Sequence, residues 1–139
     1  MNFVVFAGGV GGAKLSSGMA RSVGAELLTV IVNTADDLEM HGLHVSPDLD
    51  TVMYTLAGIA NPELGWGIVG DTFNNFDMLD KMGMSPWFRL GDRDLAIHLT
   101  RTQLMRDGKN LSEAVSFIAQ QLGVKSRILP MTNDRVRTI

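Results

Sequence analysis

The chain contains no cysteine. That absence removes disulfide bridges, thiolate catalysis and cysteine-ligated zinc together, and it makes a cytoplasmic setting the expectation. Charge is also sparse, at 19% of residues with a net of −3, and no basic run occurs. A nucleic-acid surface needs a clustered positive face, so no nucleic acid is expected as a partner. No apolar run is long enough to span a bilayer. Glycines cut the first run short before a signal-peptide core can form, so no membrane is expected either. Internal repeats, low-complexity tracts and linkers are missing, as are an HExxH pattern and a Ser/His/Asp spacing. What is there is a 139-residue chain, 45% apolar, enough for a single modest domain over 1–139 with a real core and too apolar for disorder. Nine methionines, mostly at helical spacings, serve as core filler.

The local patterns run β, α, β, then mostly helices and one more strand. Residues 2–7, NFVVFA, read as a strand, and residues 13–23 as a helix ending before Gly24. Residues 26–32 hold the continuous β-branched run LLTVIV, the mark of a strand buried in a parallel sheet. A helix is expected over 50–57, with Val52, Leu56 and Ile59 on its apolar face; Pro62 and the glycines around Trp66 break it. Asp71 stands where it can cap a helix whose inner side is Phe73, Phe76, Met78 and Leu79, and Asp92 where it can cap another over 92–106. Asn110 and Glu113 have capping-box spacing, and Leu111, Val115, Ile118 and Leu122 form the stripe of the helix that follows. Residues 127–129 give a last strand, ending at Pro130. The fold class expected is α/β: a Rossmann-like open parallel sheet with helices on both faces and a helical insertion.

Two segments carry chemistry. GGVGGAK follows the first strand and opens the first helix. Gly8, Gly9, Gly11 and Gly12 let backbone approach a phosphate with no Cβ in the way, and the helix start supplies N–H groups and a positive end. Lys14 adds a point charge. The spacing is neither G-x-x-x-x-G-K-[ST] nor G-x-G-x-x-G, so it indicates phosphate binding without naming a nucleotide. The second segment, NTADDLEMHGLHVSPDLDT, packs four aspartates and a glutamate after the buried strand. Open α/β sheets place ligands at that end of a strand. Carboxylates there are costly unless they meet a cation, a polar ligand or water. Mg²⁺ held by oxygen ligands beside a phosphorylated substrate is the simplest explanation; a solvated acidic loop is the alternative. His41 and His44 lie in the same segment and can support such a site, while His98 reads as a packed or surface histidine. In WFRLGDRD, Arg89 either reaches a phosphate or an aromatic heterocycle, or makes a surface salt bridge.

Six blocks, GGVGGAK, VNTADD, HGLHVSPDLDTVMYTLAGI, WGIVGDTF, WFRLGDRDLA and ILPMTNDRVRT, carry a family resemblance over essentially the whole chain. In order and spacing the chain resembles the 2-phospho-L-lactate transferases (CofD in archaea, FbiA in actinobacteria) of coenzyme F-420 biosynthesis. The resemblance implies a Mg²⁺-dependent transfer. The ribityl 5′-hydroxyl of the deazaflavin Fo attacks the phosphorus of a guanylyl-activated phospho-acid donor; a phospholactyl group, or phosphoenolpyruvyl in some members, moves to Fo, and GMP leaves. It further implies Asp36 and Asp48 as metal ligands, Asp37 as a supporting acid, and Asp50 at the Fo site, orienting the hydroxyl and taking its proton. Arg89 matches a position near Fo. Gly8 to Gly12 and Asn33 correspond to the holders of the nucleotide phosphates, and Thr132 and Asn133 to the nucleotide side. Many relatives carry Thr where Val10 stands and Pro where Arg135 stands. Family chains run to roughly twice this length on the usual domain scale, so the chain is expected to be the N-terminal part of a larger fold, truncated at its C-terminus. A homodimer or larger assembly is expected. The alternative is a CofD-like regulatory protein of the YvcK type, which binds a nucleotide sugar without transfer; the SPDLDTVMYTLAG block favours the transferase. A P-loop GTPase or kinase is disfavoured because the glycine run lacks G-K-[ST].

Overall fold

The computed structural model describes residues 1–84 and 87–137; Thr138, the end of the last family block, and Ile139, the end of the expected domain, lie outside them. β1 (Phe3–Ala7) is followed by helix α1 (Gly9–Val23) and by β2 (Leu28–Val32), which pairs in parallel with β1, Phe3 opposite Leu28 through Ala7 opposite Val32. A 3-10 turn over Ala25–Leu27 trims the expected start of β2. Then comes an antiparallel hairpin, β3 (Leu38–Met40) and β4 (Leu43–Val45), where the sequence alone shows only an acidic loop. Its two-residue turn holds His41 at φ 52° and Gly42 at φ 73°. Two consecutive left-handed residues are what a tight hairpin turn needs to match strand twist. Helices α2 (Pro47–Ala57), α3 (Asn74–Lys81), α4 (Asp92–Arg106) and α5 (Leu111–Gln121) follow, and β5 (Arg127–Pro130) returns parallel to β2. The main sheet therefore runs β1–β2–β5.

One face of this sheet makes the core. Val5, Ala7, Leu28, Val30, Val32 and Ile128 share it, and they cluster with Ala13 of α1, Leu49, Val52 and Met53 of α2, and Leu111, Val115 and Ile118 of α5. The alternate residues point the other way, and there Val4 is 56% and Phe6 77% exposed. An open parallel α/β sheet flanked by helices is thus present as expected. The expected capping box of α5 forms in both directions between Asn110 and Glu113. No helix among the described residues is long and apolar enough to cross a membrane.

Two helix starts differ from the sequence reading for local steric reasons. α1 begins at Gly9, so the glycine run is the helix's own first turn, with Gly8 as an extended cap. α2 begins at Pro47 after Ser46, three residues before the expected Asp50. Proline suits a first helical position, where its missing N–H is not needed.

The caps of α3 and α4 are exchanged. Asp71 was the expected cap of α3, yet its carboxylate accepts from the backbone N–H of Arg93 and Asp94 in the first turn of α4, at 2.9 and 3.1 Å. Asp92 accepts from the N–H of Asn74 and Asn75 in the first turn of α3, at 3.0 and 2.9 Å, and from the Thr72 hydroxyl at 2.6 Å. Each aspartate sits at the other helix's positive end, a tertiary arrangement that local spacing does not reveal. Gly91 is required here, because a Cβ on it would lie 2.1 Å from Asp71 Oδ2.

These contacts set two expectations. The bonds to Asp92, that from Thr72 foremost, lower its pKa from 3.8 to about 2. A depressed carboxyl stabilises the fold above its unfolded pKa and loses that contribution as pH falls toward the folded value. The stability gap between wild type and Asp92→Ala should therefore be full at pH 5 and shrink on acidification to pH 2, as read by urea unfolding at both pH values. In α1, a Cβ on Gly12 would lie 2.8 Å from Ala7 Cβ and 2.9 Å from its Cα, whereas one on Gly11 meets nothing within 4 Å among the described residues. Gly12→Ala should cost about 1–3 kcal/mol through overpacking. Gly11→Ala should be neutral or gain up to about 1 kcal/mol from helix propensity; equal losses in the two variants would refute the packing account.

Candidate functional site

Because the sheet is parallel, Ala7, Val32 and Pro130 bring three connections to one edge. Asn33, just past β2, ties that edge together. Its N–H donates to Ala7 O at 2.9 Å, and its Oδ1 accepts from Ala35 N–H at 3.1 Å. Its Nδ2 donates to Asp36 Oδ2 at 3.0 Å and to Asp48 Oδ2 at 2.9 Å. The two expected metal carboxylates, one from the loop and one from the first turn of α2, thus converge on a single amide nitrogen. The Asp48 carboxylate also lies against Gly8, 3.4 Å from where a Cβ would stand, and against Gly9. The first N–H groups of α1 have no intrahelical acceptor, and Gly8 offers no side-chain cap. A pair of hard oxygen donors opposite an uncapped positive helix end is a fitting seat for a divalent cation beside phosphate. Gly11 and Lys14 stand exposed on α1.

Four further expected residues, Asp37, Asn133, Thr132 and Arg89, are engaged in contacts of their own. Asp37 is 2% exposed and turned inward; its Oδ2 accepts from the Ser46 hydroxyl at 2.8 Å and contacts His44 Nε2 at 2.8 Å. It anchors the hairpin to α2 and does not join Asp36 and Asp48. Asn133 accepts at Oδ1 from the Ser112 N–H at 2.9 Å and the Ser112 hydroxyl at 2.8 Å, so its acceptor is engaged at the start of α5. Thr132 accepts from Asp134 N–H in the same turn. Arg89 lies over the Phe73 ring at 4.0 Å and near Phe76 at 5.6 Å, a cation–π stack away from the cavity described next. Arg135 pairs with Glu39 at 3.2 Å beside Arg137 at 2.7 Å, which is the larger cause of the lowered Glu39 pKa.

Asp48 and Asp50 are two residues apart on α2, which turns them about 200° from one another. Asp50 accordingly faces the opposite way, toward α4, at the wall of a cavity of about 200 Å³. Tyr54, Asp94 and His98 supply its other polar groups, with Trp66 and Phe88 as aromatic wall. The loop bearing Trp66 leans on Val10 of α1, where a Cβ on Gly65 would come 2.8 Å from Val10 Cγ1. Asp50 Oδ1 accepts from Arg101, a residue 0% exposed. The Tyr54 hydroxyl donates to Asp94 Oδ1 at 2.5 Å. Burial pushes the Asp50 carboxyl above its ordinary value against the pull of Arg101 and His98. Burial also opposes ionisation of Asp94, but His98 and the Tyr54 hydroxyl outweigh it and hold that carboxyl below its ordinary value. Tyr54 is held well above its ordinary value, by burial first and then by Asp50 and Asp94.

The sequence reading missed Tyr54, Asp94 and Arg101, and took His98 for a bystander. The available signal was polar periodicity: Asp94, His98 and Arg101 follow i, i+4, i+7 on α4, facing Asp50 and Tyr54 at i, i+4 on α2. The pairing also fixes a stability difference. Asp50→Ala strands a buried guanidinium and should cost about 3–5 kcal/mol, whereas the exposed Asp36→Asn should stay within about 0.5 kcal/mol, as read by urea unfolding. Equal stabilities for the two variants would show that the Asp50–Arg101 pair is not a buried anchor.

Comparison with known proteins identifies the family. Residues 3–139 match the family described as 2-phospho-L-lactate transferase CofD. A 2-phospho-L-lactate transferase of Methanopyrus kandleri is 48% identical over 140 residues, covering 100% of this chain and 44% of the relative. One of Methanocorpusculum labreanum is 45% identical over 132 residues, covering 95% and 43%. A phosphoenolpyruvate transferase of Streptomyces coelicolor is 46% identical over 139 residues, covering 99% and 44%. A crystal structure of a upf0052 family member from Bacillus halodurans superposes with TM-score 0.62 at 22% identity, over 95% of this chain and 39% of that one, which shows the shared fold. The chain spans less than half the length of these relatives. With its glycine-opened helix, its paired aspartates and this match along nearly every described residue, the chain belongs to the 2-phospho-L-lactate transferase CofD family.

Proposed function

We propose that this chain forms the acceptor-binding and phosphate-binding part of a transferase that moves a phospholactyl or phosphoenolpyruvyl group to the ribityl hydroxyl of Fo. The observation that carries this reading is the placement of two polar sites on opposite sides of one helical turn: Asp36–Asn33–Asp48 against the start of α1, and Asp50 in the aromatic-walled cavity. The hydroxyl oxygen of Fo forms a new bond to the phosphorus that bears the acid, the phosphoanhydride bond breaks, and GMP departs with the electron pair. Such a displacement needs charge neutralisation and alignment more than covalent help.

Asp36 and Asp48 would hold Mg²⁺, which neutralises charge on the donor's phosphate oxygens when bound. The backbone of Gly8, Gly9, Gly11 and Gly12, with Asn33 and Lys14, would hold the donor phosphates, and Thr132 and Asn133 would serve the nucleotide side from the turn after β5. Asp50 accepts the hydroxyl proton, its burial raising its basicity. Arg89, one residue past Phe88, would reach the acceptor by leaving its Phe73 stack. A cytoplasmic setting and self-association through the bare sheet face around Val4 and Phe6 belong to the same reading.

The test is a transfer assay on this chain joined to the remaining length of the Methanopyrus kandleri relative, following GMP release by chromatography. Release should require both Fo and Mg²⁺ and stop on chelation. Asp48→Asn should lower it at least about 100-fold, the scale of losing a charge-stabilising group, with an unchanged melting temperature. GMP release without Fo, or wild-type turnover in Asp48→Asn, would overturn the reading.

A further inference from the structure

Arg101 is fully buried and carries an obligate positive charge. Its Nη2 donates to Asp50 Oδ1, and its Nη1 donates to His44 O at 3.2 Å and meets His98 Nδ1 at 3.3 Å. Removing such a cation from water is costly, and only a well-placed anion with further hydrogen bonds offsets it. The way Asp50 divides its oxygens follows from this. Oδ1 is taken by the guanidinium. Oδ2 is buried 3.5 Å from His98 Nδ1 and has no hydrogen-bond partner among the described residues, on a side chain that lines the cavity. A buried carboxylate oxygen without a hydrogen-bond partner is an unused acceptor, and leaving it unused is unfavourable.

The histidine sits between the two carboxylates: Nδ1 lies 3.3 Å from Arg101 Nη1 and 3.5 Å from Asp50 Oδ2, and Nε2 lies 3.3 Å from Asp94 Oδ1. Asp50, Asp94 and His98 do bring three ligand atoms within 4.8 Å of one another. A metal centre is nevertheless a poor occupant, because Arg101 already supplies the neutralising charge. A hydroxyl is the better one: it is a donor, it is neutral, and it fits beside aromatic walls.

We propose that Arg101 is a positioning residue for the acceptor substrate: by gripping Asp50 Oδ1 it fixes the Asp50 carboxylate at the cavity wall, where a ligand hydroxyl donates to it. The identity of the ligand rests on the transferase reading; the grip itself does not. The fork of the guanidinium is needed for this. A lysine at the same place keeps the charge but lacks the planar pair of Nη donors that holds the carboxylate and the His44 carbonyl in fixed directions. The role differs from simple structural support, because it operates only through Asp50.

The test is fluorescence titration of the 139-residue chain with Fo, alongside calorimetry with Mg²⁺–GDP, on wild type, Arg101→Lys, Asp50→Asn and Asp50→Asn/Arg101→Gln. The last variant replaces the ion pair by two neutral amides and keeps a foldable partner for each site. Arg101→Lys and Asp50→Asn should each weaken Fo binding about tenfold or more, the scale of a hydrogen bond to a charged group, and leave GDP binding within about twofold. The double variant should bind Fo no more weakly than Asp50→Asn alone. Wild-type Fo affinity in Arg101→Lys, losses that multiply in the double variant, or parallel losses of GDP and Fo binding would each overturn the positioning role. So would equal affinity of the wild-type chain for a deazaflavin lacking the ribityl chain. Fo binding that behaves as expected, together with no group transfer in the extended chain, would remove the transferase reading and leave the positioning role standing.

Discussion

A guanidinium with no access to water has to be surrounded before anything else in this half of the molecule can be settled. Arg101 draws α2 toward α4 through Asp50, and draws β4 toward α4 through the His44 carbonyl. The same helix holds that strand at two more points: Thr102 Oγ1 accepts from His44 N–H at 2.8 Å, and Arg106 donates to Gly42 O at 3.0 Å. An isolated two-stranded hairpin is marginal in water. Here its backbone finds partners on α4, and Asp37, His44 and Ser46 fasten its other side to α2. The position of the acidic loop, and with it Asp36, is inherited from that scaffold.

α2 is the partition of the site. Its first turn carries Asp48 toward the glycine-opened start of α1 and Asp50 toward the buried cluster on α4. Both carboxylates lie near the helix's positive end, which favours anions there. Helical rotation alone separates a side chain suited to a cation from one suited to a hydroxyl. The sequence SPDLD encodes this in five residues: a cap position, a proline that starts the helix, and two aspartates at a spacing that cannot share a face.

Much of this was legible beforehand where the determinant is local. LLTVIV had to be a buried parallel strand, Asn110 with Glu113 had to start a helix, and Asn33, Asp36 and Asp48 follow from the edge where parallel strands end. The reading failed where the determinant is tertiary. Asp36 and Asp37 are adjacent and chemically equal, yet only the hairpin decides that Asp37 turns inward to His44 and Ser46. Asp71 and Asp92 each look like the cap of the helix they precede in sequence, and each serves the other. Strands of three residues give too little alternation to detect. The polar stripe of α4 escaped because burial is ordinarily read from apolar residues, and this helix buries His98, Arg101 and Thr102.

The exchanged caps of α3 and α4 bear on how the cavity breathes. Each helix supplies, just ahead of or within its own first turn, the carboxylate that completes the other's, so neither end can fray without exposing N–H groups on both. The two starts consequently open as one cooperative unit, and the Phe88 wall, which lies between Asp71 and Asp92 in the chain, belongs to that unit. Amide exchange at the beginnings of two separate helices is thereby bound to a single opening equilibrium, one that also governs how often the aromatic side of the cavity is ajar.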